Sequence, residues 1–331
     1  MDLFALARRL IDIESTTPNE TIVGDFLHEE LQRRGWDAQK MPVEGTRANM
    51  LATWPGHARP KIVFSTHMDT VPPFIASSED EARIYGRGAC DAKGIIAAQI
   101  VAAEKLRAAG VFVGLLFLVG EERDSIGAKI ANLHPIGTRF MINGEPTDNR
   151  LAVATKGALH VELIARGKMA HSAYPELGES AIDKLVEVLH RLHMMTLPED
   201  PDVGPCTKNV GSIQGGRAPN VISDFAKADL FYRLVGPSEE LRRGITEAAG
   251  DLAEVHFTRE SPFMRLRTLD GLPTMVAAFT TDIPSLGNWG EPLLLGPGSI
   301  QVAHTEGEYV TKKQLMEAVE LYCSVAGQLG A

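Results

Sequence analysis

Five short segments of this 331-residue chain carry acids or imidazoles in turn-like settings. HMDTVPP (67–73) holds His67 and Asp69 just after an apolar run. GRGACDAKG (86–94) holds Asp91 where a helix should begin, and GEERDS (120–125) holds the adjacent Glu121 and Glu122. NGEPT (143–147) holds Glu145, and GPGSIQVAHTEGEYV (296–310) holds His304 in a Gly/Pro-rich loop. Each has an ordinary explanation in isolation. An Asp before a helix is usually a cap, a Glu pair after a strand is usually solvated, and a single loop histidine is usually no ligand. Taken together, two imidazoles with three or four carboxylates form a donor set suited to two zinc-like ions. Without cations such a cluster is unfavourable, because carboxylates at short range resist ionising together.

Competing chemistries lack support. GRGACD departs from a dinucleotide-binding GxGxxG at its third glycine, which is Asp91. The chain has no GKS or GKT phosphate loop, no HExxH and no GxSxG serine elbow.

The elements that must position these groups are legible in outline. KIVFSTH (61–67), VFVGLLFLVG (111–120), RFMIN (139–143) and PLLLG (292–296) read as buried strands. DAKGIIAAQIVAAEKLRAAG (91–110) reads as an Ala-rich helix ending at Gly110, and a closing helix starts near 311. TPNE (17–20) reads as a helix start, with Thr17 as N-cap, Pro18 in the first turn and Glu20 completing a capping box. That helix should carry Ile22, Val23, Phe26, Leu27 and Leu31 on one side and stop at Gly35. Near-continuous apolar strands alternating with helices indicate an α/β fold with a parallel or mixed sheet. In such sheets ligands collect at the carboxyl ends of strands, where His67, Glu121 and Glu145 fall.

From about residue 155 the pattern changes. KGALHVELIARG (156–167) alternates like an antiparallel strand. A helix at 179–195, strands at 207–213 and 222–234, a helix at 238–250 and a strand at 253–258 follow. This is a small α+β domain in ferredoxin-like order.

Composition narrows the functional classes. Lys+Arg is 33 against 43 for Asp+Glu, a formal charge of −10, which argues against a nucleic-acid or anionic-membrane partner. The three cysteines, Cys90, Cys206 and Cys323, form no CxxC pair, which excludes a thiolate zinc finger and fits a reducing cytoplasm. MDLFALARRLIDIE reads as an amphipathic helix and not a signal peptide. The most apolar run, 111–120, is far short of the ~20 residues of a membrane span.

In order along nearly the whole chain, STHMDTVPP, GRGACDAKG, GEE, GEPT, KGALHVEL to GKMAHSAYPELG, GGRAPNVI and AHTEGEY resemble the di-zinc amidohydrolase and exopeptidase family. That family contains acetylornithine deacetylase, succinyl-diaminopimelate desuccinylase, aminoacylase and glutamate carboxypeptidase. The resemblance implies a mixed-sheet α/β catalytic domain formed by 1–153 and 267–331. A ferredoxin-like α+β lid and dimerisation domain, 154–266, would be inserted into it. It implies two zinc ions, with cobalt or manganese as alternatives. His67, Asp91 and Glu145 would ligate one ion and Asp91, Glu122 and His304 the other, with Asp91 bridging. Asp69 would accept the second ring N–H of His67, and Glu121 would be the general base.

From the inserted domain, His171 would reach the partner subunit's site and stabilise an oxyanion. Asn220 would contact substrate, and Arg233, or less strongly Arg217, would pair with a substrate carboxylate. The implied activity is hydrolysis of an N-acyl-L-amino acid by a cytoplasmic homodimer. GPGSIQVAHTEGEY most resembles the acetylornithine deacetylase branch. Desuccinylation and dipeptidase- or carboxypeptidase-like hydrolysis are the alternatives on the same scaffold, and a non-catalytic metal- or peptide-binding homologue is the alternative of another class. The chain is shorter than most of the family, and Pro73 and Phe74 stand where a small residue is common.

Overall fold

The computed structural model describes residues 2–330. The chain divides into two compact units: Met1–Val153, Leu266–Met275 and Thr281–Ala331 form one, and Ala154–Arg265 with Val276–Thr280 forms the other. The strands used below are, in chain order, β1 (Asp37–Glu44), β2 (Arg47–Thr53), β3 (Ile62–His67), β4 (Gly114–Leu118), β5 (Phe140–Asn143), β6 (Gly157–Arg166), β7 (Thr207–Gly215), β8 (Phe225–Leu234), β9 (Glu254–Ser261) and β10 (Glu291–Leu294).

The first unit is built on a six-stranded sheet of order β1-β2-β4-β3-β5-β10. The hairpin β1–β2 and the pair β2–β4 are antiparallel. The pairs β4–β3, β3–β5 and β5–β10 are parallel. Every residue of β3, β4 and β5 is buried, as expected of strands covered on both faces. Helix Lys93–Ala108 lies against β3 and β4 and packs on helices Leu3–Ile11 and Lys312–Gln328. Residues 93–100 are buried without exception, as are Ala102 and Ala103, so the first half of the helix is enclosed on all sides.

The second unit has a sheet of order β7-β8-β6-β9 with all neighbours antiparallel. Helices Ala181–Met194 and Glu239–Ala249 pack on it. Chain order β6, helix, β7, β8, helix, β9 is the ferredoxin-like βαββαβ arrangement. Alternation in β8 buries Ala226, Ala228, Leu230, Tyr232 and Leu234 and leaves the intervening side chains on the other face.

Three local expectations are corrected. The second helix begins at Thr21, with Glu20 at the cap position and no side-chain cap. Thr17 and Glu20 are engaged elsewhere: Thr17 Oγ1 donates to Asp69 Oδ2 at 2.7 Å, and Glu20 receives both Arg47 Nε and Nη2, at 2.7 and 2.6 Å. Ile22 is not on the buried face and is 67% exposed. The capping box lies instead at the closing helix, between Thr311 and Gln314. Finally, the 222–234 strand is two pieces, with Val221–Ile222 pairing with Ala170–His171 and β8 beginning at Phe225. The β1–β2 hairpin has no counterpart in the sequence reading.

Candidate metal centre

Parallel topology brings the candidate groups to one edge of the first unit. His67 is the last residue of β3. Glu121 and Glu122 follow β4, Glu145 follows β5, and His304 lies in the loop after β10. The three parallel pairings point these strands the same way, so their carboxyl ends share one edge. Asp91 arrives from the turn before helix Lys93–Ala108 and does not cap it; the cap position is Ala92, without a side-chain bond. The glycines of GRGACDAKG make this turn possible. A Cβ at Gly94 would lie 2.2 Å from the Ala89 carbonyl oxygen, and Gly88 (φ +88°) would place one 2.9 Å from Lys93 Cδ.

Asp91 stands between the two imidazoles. Its Oδ1 lies 2.9 Å from His67 Nε2 and its Oδ2 lies 3.4 Å from His304 Nε2. His304 Nε2 is also 3.1 Å from Glu122 Oε1. Donor atoms of His67, Asp91 and Glu122 all lie within 4.8 Å of one another. His67 Nδ1–H donates to the Asp69 main-chain carbonyl at 2.9 Å, whereas the Asp69 carboxylate is 3.5 Å away. The carbonyl is therefore the closer partner that orients the ring. The Asp69 carboxylate, fully buried, accepts the backbone N–H groups of Glu121 and Glu122, both at 3.1 Å, and so holds the turn that carries them.

The electrostatics are those of a cluster built around positive charge. Burial opposes charging His67, yet the Asp69 and Asp91 carboxylates hold its pKa well above the usual imidazole range. His304 is pushed up to about 10 by hydrogen bonding to Asp91 and Glu122. Burial works against Asp91, but its two histidine partners keep its pKa below the usual range. Burial raises Glu121, Glu122 and Glu145, reinforced at Glu121 by the charges of Glu145 and Glu122, at Glu122 by Asp91, and at Glu145 by Asp91 and Glu122. Both nitrogens of His67 face acceptors, which a neutral ring with one N–H cannot satisfy. Nε2 and Asp91 would therefore share a proton or serve together as ligands of a cation. Glu145 Oε1 is buried with no hydrogen-bond partner, an orphaned polar atom that a cation would satisfy. The donor set fits metal ions on these grounds.

The remaining candidates belong to the second unit. His171 pairs with Val221 across a short two-stranded sheet, and its Nδ1 accepts the Ala173 N–H at 3.1 Å. The Asn220 carbonyl accepts the Ser172 N–H, which brings Asn220 and His171 together. Arg217 is engaged with Asp224 at 3.3 and 3.4 Å. Arg233 is half-buried on β8 with its guanidinium 4.6 Å from the Phe231 ring, and among the described residues no carboxylate pairs with it. One acid escaped the sequence reading. Asp282 is 1% exposed, and neither of its oxygens meets a donor in good geometry. Burial pushes it up to about 7, with Ser125 and the His67 charge pulling the other way. Its charge raises Glu121 and Glu145. An acid in TTDIP, two residues before a proline and outside every motif, carried no signal in the sequence.

A parallel-edge site of two imidazoles and clustered carboxylates on this fold defines a metallohydrolase. The family model described as peptidase family M20/M25/M40 matches residues 63–328. A peptidase M20 domain-containing protein of Schizosaccharomyces pombe is 38% identical over 333 residues, covering 97% of this chain and 83% of that protein. A probable carboxypeptidase of Aspergillus terreus is 37% identical over 361 residues, covering 95% and 83%. Among solved structures, aminopeptidase PepT of Bacillus cereus aligns with a TM-score of 0.84 at 20% identity, covering 99% and 98%. The Bacillus subtilis YXEP protein, described as a dinuclear metal-binding peptidase, aligns with a TM-score of 0.69 at 16% identity, covering 98% of each chain. The chain belongs to the M20 metallopeptidase family.

Proposed function

We propose that this protein hydrolyses the amide bond preceding a C-terminal amino acid, acting as a zinc-dependent carboxypeptidase or dipeptidase. The observation that carries the reading is Asp91, whose two oxygens face two different imidazoles. His67, Asp91 and Glu145 would hold one ion, and Asp91, Glu122 and His304 the other. When bound, such ions polarise the carbonyl and acidify water. Glu121 takes the proton of the attacking water and delivers it to the leaving amine nitrogen. Asp69 keeps Glu121 and Glu122 in place through their backbone N–H groups. Arg233, lacking a carboxylate of its own, would take the substrate's α-carboxylate, Asn220 would contact substrate, and His171 would reach the partner subunit's site and stabilise the oxyanion. Arg217, already paired with Asp224, is the weaker candidate. Three free cysteines favour a reducing cytoplasmic location.

The relative named probable carboxypeptidase favours a peptide substrate. An N-acetyl or N-succinyl amino acid presents the same amide bond and the same carboxylate, so deacetylation ranks second, on the resemblance of GPGSIQVAHTEGEY. A panel of dipeptides, tripeptides, their C-terminal amides and N-acyl amino acids separates the readings. Peptides with a free C-terminus should be cleaved fastest, and amidation should cut kcat/KM at least about tenfold, the loss of a charge-assisted pair. Equal turnover of amidated peptides would reject the carboxylate-directed reading. Faster turnover of N-acetyl amino acids would select deacetylation.

The protein is further proposed to be a homodimer through the second unit. Strand β7 is an edge of its sheet, with Val210 40% and Ile213 62% exposed, and the neighbouring helix exposes Val186 at 59%. An exposed apolar edge strand is a ready site for strand pairing. Light scattering should give twice the monomer mass, and Ile213→Lys with Val186→Glu should halve it. A parent protein that runs as a monomer at tens of micromolar rules the dimer out.

A further inference from the structure

We propose that Glu308 is a positioning residue that locks the Asp91 turn to the His304 loop and thereby sets the metal affinity of the site. The inference rests on the metal-site reading above. Glu308 is 1% exposed and separated by 217 residues from Asp91, yet its carboxylate is the acceptor around which the Asp91 turn is wound. Oε1 accepts the backbone N–H groups of Gly88, Cys90 and Asp91 at 3.0, 3.1 and 3.2 Å. Oε2 accepts Arg87 Nη1 at 2.6 Å, and Arg87 is itself 1% exposed. The Cys90 thiol adds a contact to Oε1 at 3.5 Å. The Glu308 main-chain carbonyl accepts the Gly86 N–H at 3.1 Å.

Successive backbone N–H groups converging on one oxygen form an anion nest, and here the anion is supplied from the far end of the chain. Glu308 lies four residues beyond His304. One side chain therefore spans from the amide of the carboxylate facing both histidines to the segment that delivers the second histidine. The two loops touch directly as well: a Cβ on Gly298 would lie 2.4 Å from Cys90 Cβ. The partners of Glu308 are Arg87, Cys90 and the backbone of the Asp91 turn, so its effect passes through the placement of Asp91 and His304. Ligand-orienting groups of this kind carry about 10- to 100-fold in metal affinity.

Glu308→Gln is the informative change. A neutral amide oxygen is a weaker acceptor for three N–H groups, and its NH2 would face either them or the Arg87 guanidinium, donor against donor. The test is chelator competition with Zn²⁺ on metal-free protein, alongside metal content, circular dichroism and thermal midpoint. The parent should bind two ions, and folded Glu308→Gln should bind them about 10- to 100-fold more weakly. Added Zn²⁺ should restore much of its kcat, with KM little changed. Leu27→Ala, a core change in helix Thr21–Arg33, serves as a destabilised control and should keep parental affinity. Should Glu308→Gln fail to fold, Glu308→Asp and Arg87→Lys take its place. Glu308→Asp, one methylene too short to reach both partners, should lose affinity, while Arg87→Lys, which keeps a cation on Oε2, should stay near the parent. Parental Zn²⁺ affinity in folded Glu308→Gln or Glu308→Asp, or an equal loss in Leu27→Ala, overturns the proposal and leaves the site reading standing. A parent that binds no metal removes both.

Discussion

Glu121→Gln should lower kcat about 10³-fold while the protein keeps both metal ions and a near-parental KM. The substitution preserves shape and leaves the backbone N–H of residue 121 on Asp69 Oδ1, so the ligand-bearing turn stays where it is. What disappears is the only group proposed to carry the proton from water to the leaving amine, and general acid–base catalysis contributes typically 10²–10⁴-fold. At about 1.4 kcal/mol per decade, a 10³-fold loss is about 4 kcal/mol of transition-state stabilisation. A second consequence has the opposite sign. Burial and the charges of Glu145, Asp282 and Glu122 raise the Glu121 pKa. An acid whose folded pKa lies above its unfolded value costs stability once the pH exceeds the unfolded value, because folding then disfavours the ionised form. Gln carries no such cost, so metal-free Glu121→Gln should melt at or above the parental temperature at neutral pH. Stopped assays, metal analysis and melting curves suffice. Undiminished turnover would remove Glu121 from the reaction, and a lower midpoint would argue against the crowding of carboxylates.

Asp91→Asn should abolish two-metal binding. Both oxygens of Asp91 are in use, one toward His67 at 2.9 Å and one toward His304 at 3.4 Å. An amide has one acceptor oxygen, and its NH2 would point at a cation. The loss should exceed the ~10- to 100-fold typical of groups one step removed from a metal, with at most one ion retained and activity near background. The fold should survive, since the Asp91 backbone N–H still meets Glu308 and the side chain nearly keeps its volume. Metal content by mass spectrometry decides the matter: two ions retained at parental affinity would show that Asp91 does not bridge. This outcome also separates Asp91 from Glu308, whose replacement should weaken both sites together and be offset by excess metal.

The chemistry of the centre was readable from residue types because its motifs fall at the ends of strands that read clearly. IVFSTH, GLLFL and FMIN are mainly apolar and buried throughout, so the polar residues at and beyond their carboxyl ends fall on one edge of a parallel sheet. The small domain was legible in outline, since the period-2 alternation read in β6 survives into the structure, although its 222–234 strand is two pieces. Local capping rules failed at TPNE for a tertiary reason. Thr17 bonds Asp69 and Glu20 bonds Arg47, and a buried carboxylate or guanidinium gains more from a charge-assisted bond than a helix end gains from a cap.

By itself, then, the order of residues determined the donor types, the strands that carry them and the family to which they belong, because periodicity and motif spacing are properties of contiguous chain. Only the tertiary structure decided which of those groups meet. Asp91 between two histidines, the Asp69 carboxylate gripping the Glu121–Glu122 turn, Asp282 buried beside the site and Glu308 pinning a loop 217 residues away all join segments remote in sequence. Contacts of that kind arise when parallel strands deliver their ends to one edge and leave buried polar atoms that must find partners, a condition no local pattern encodes.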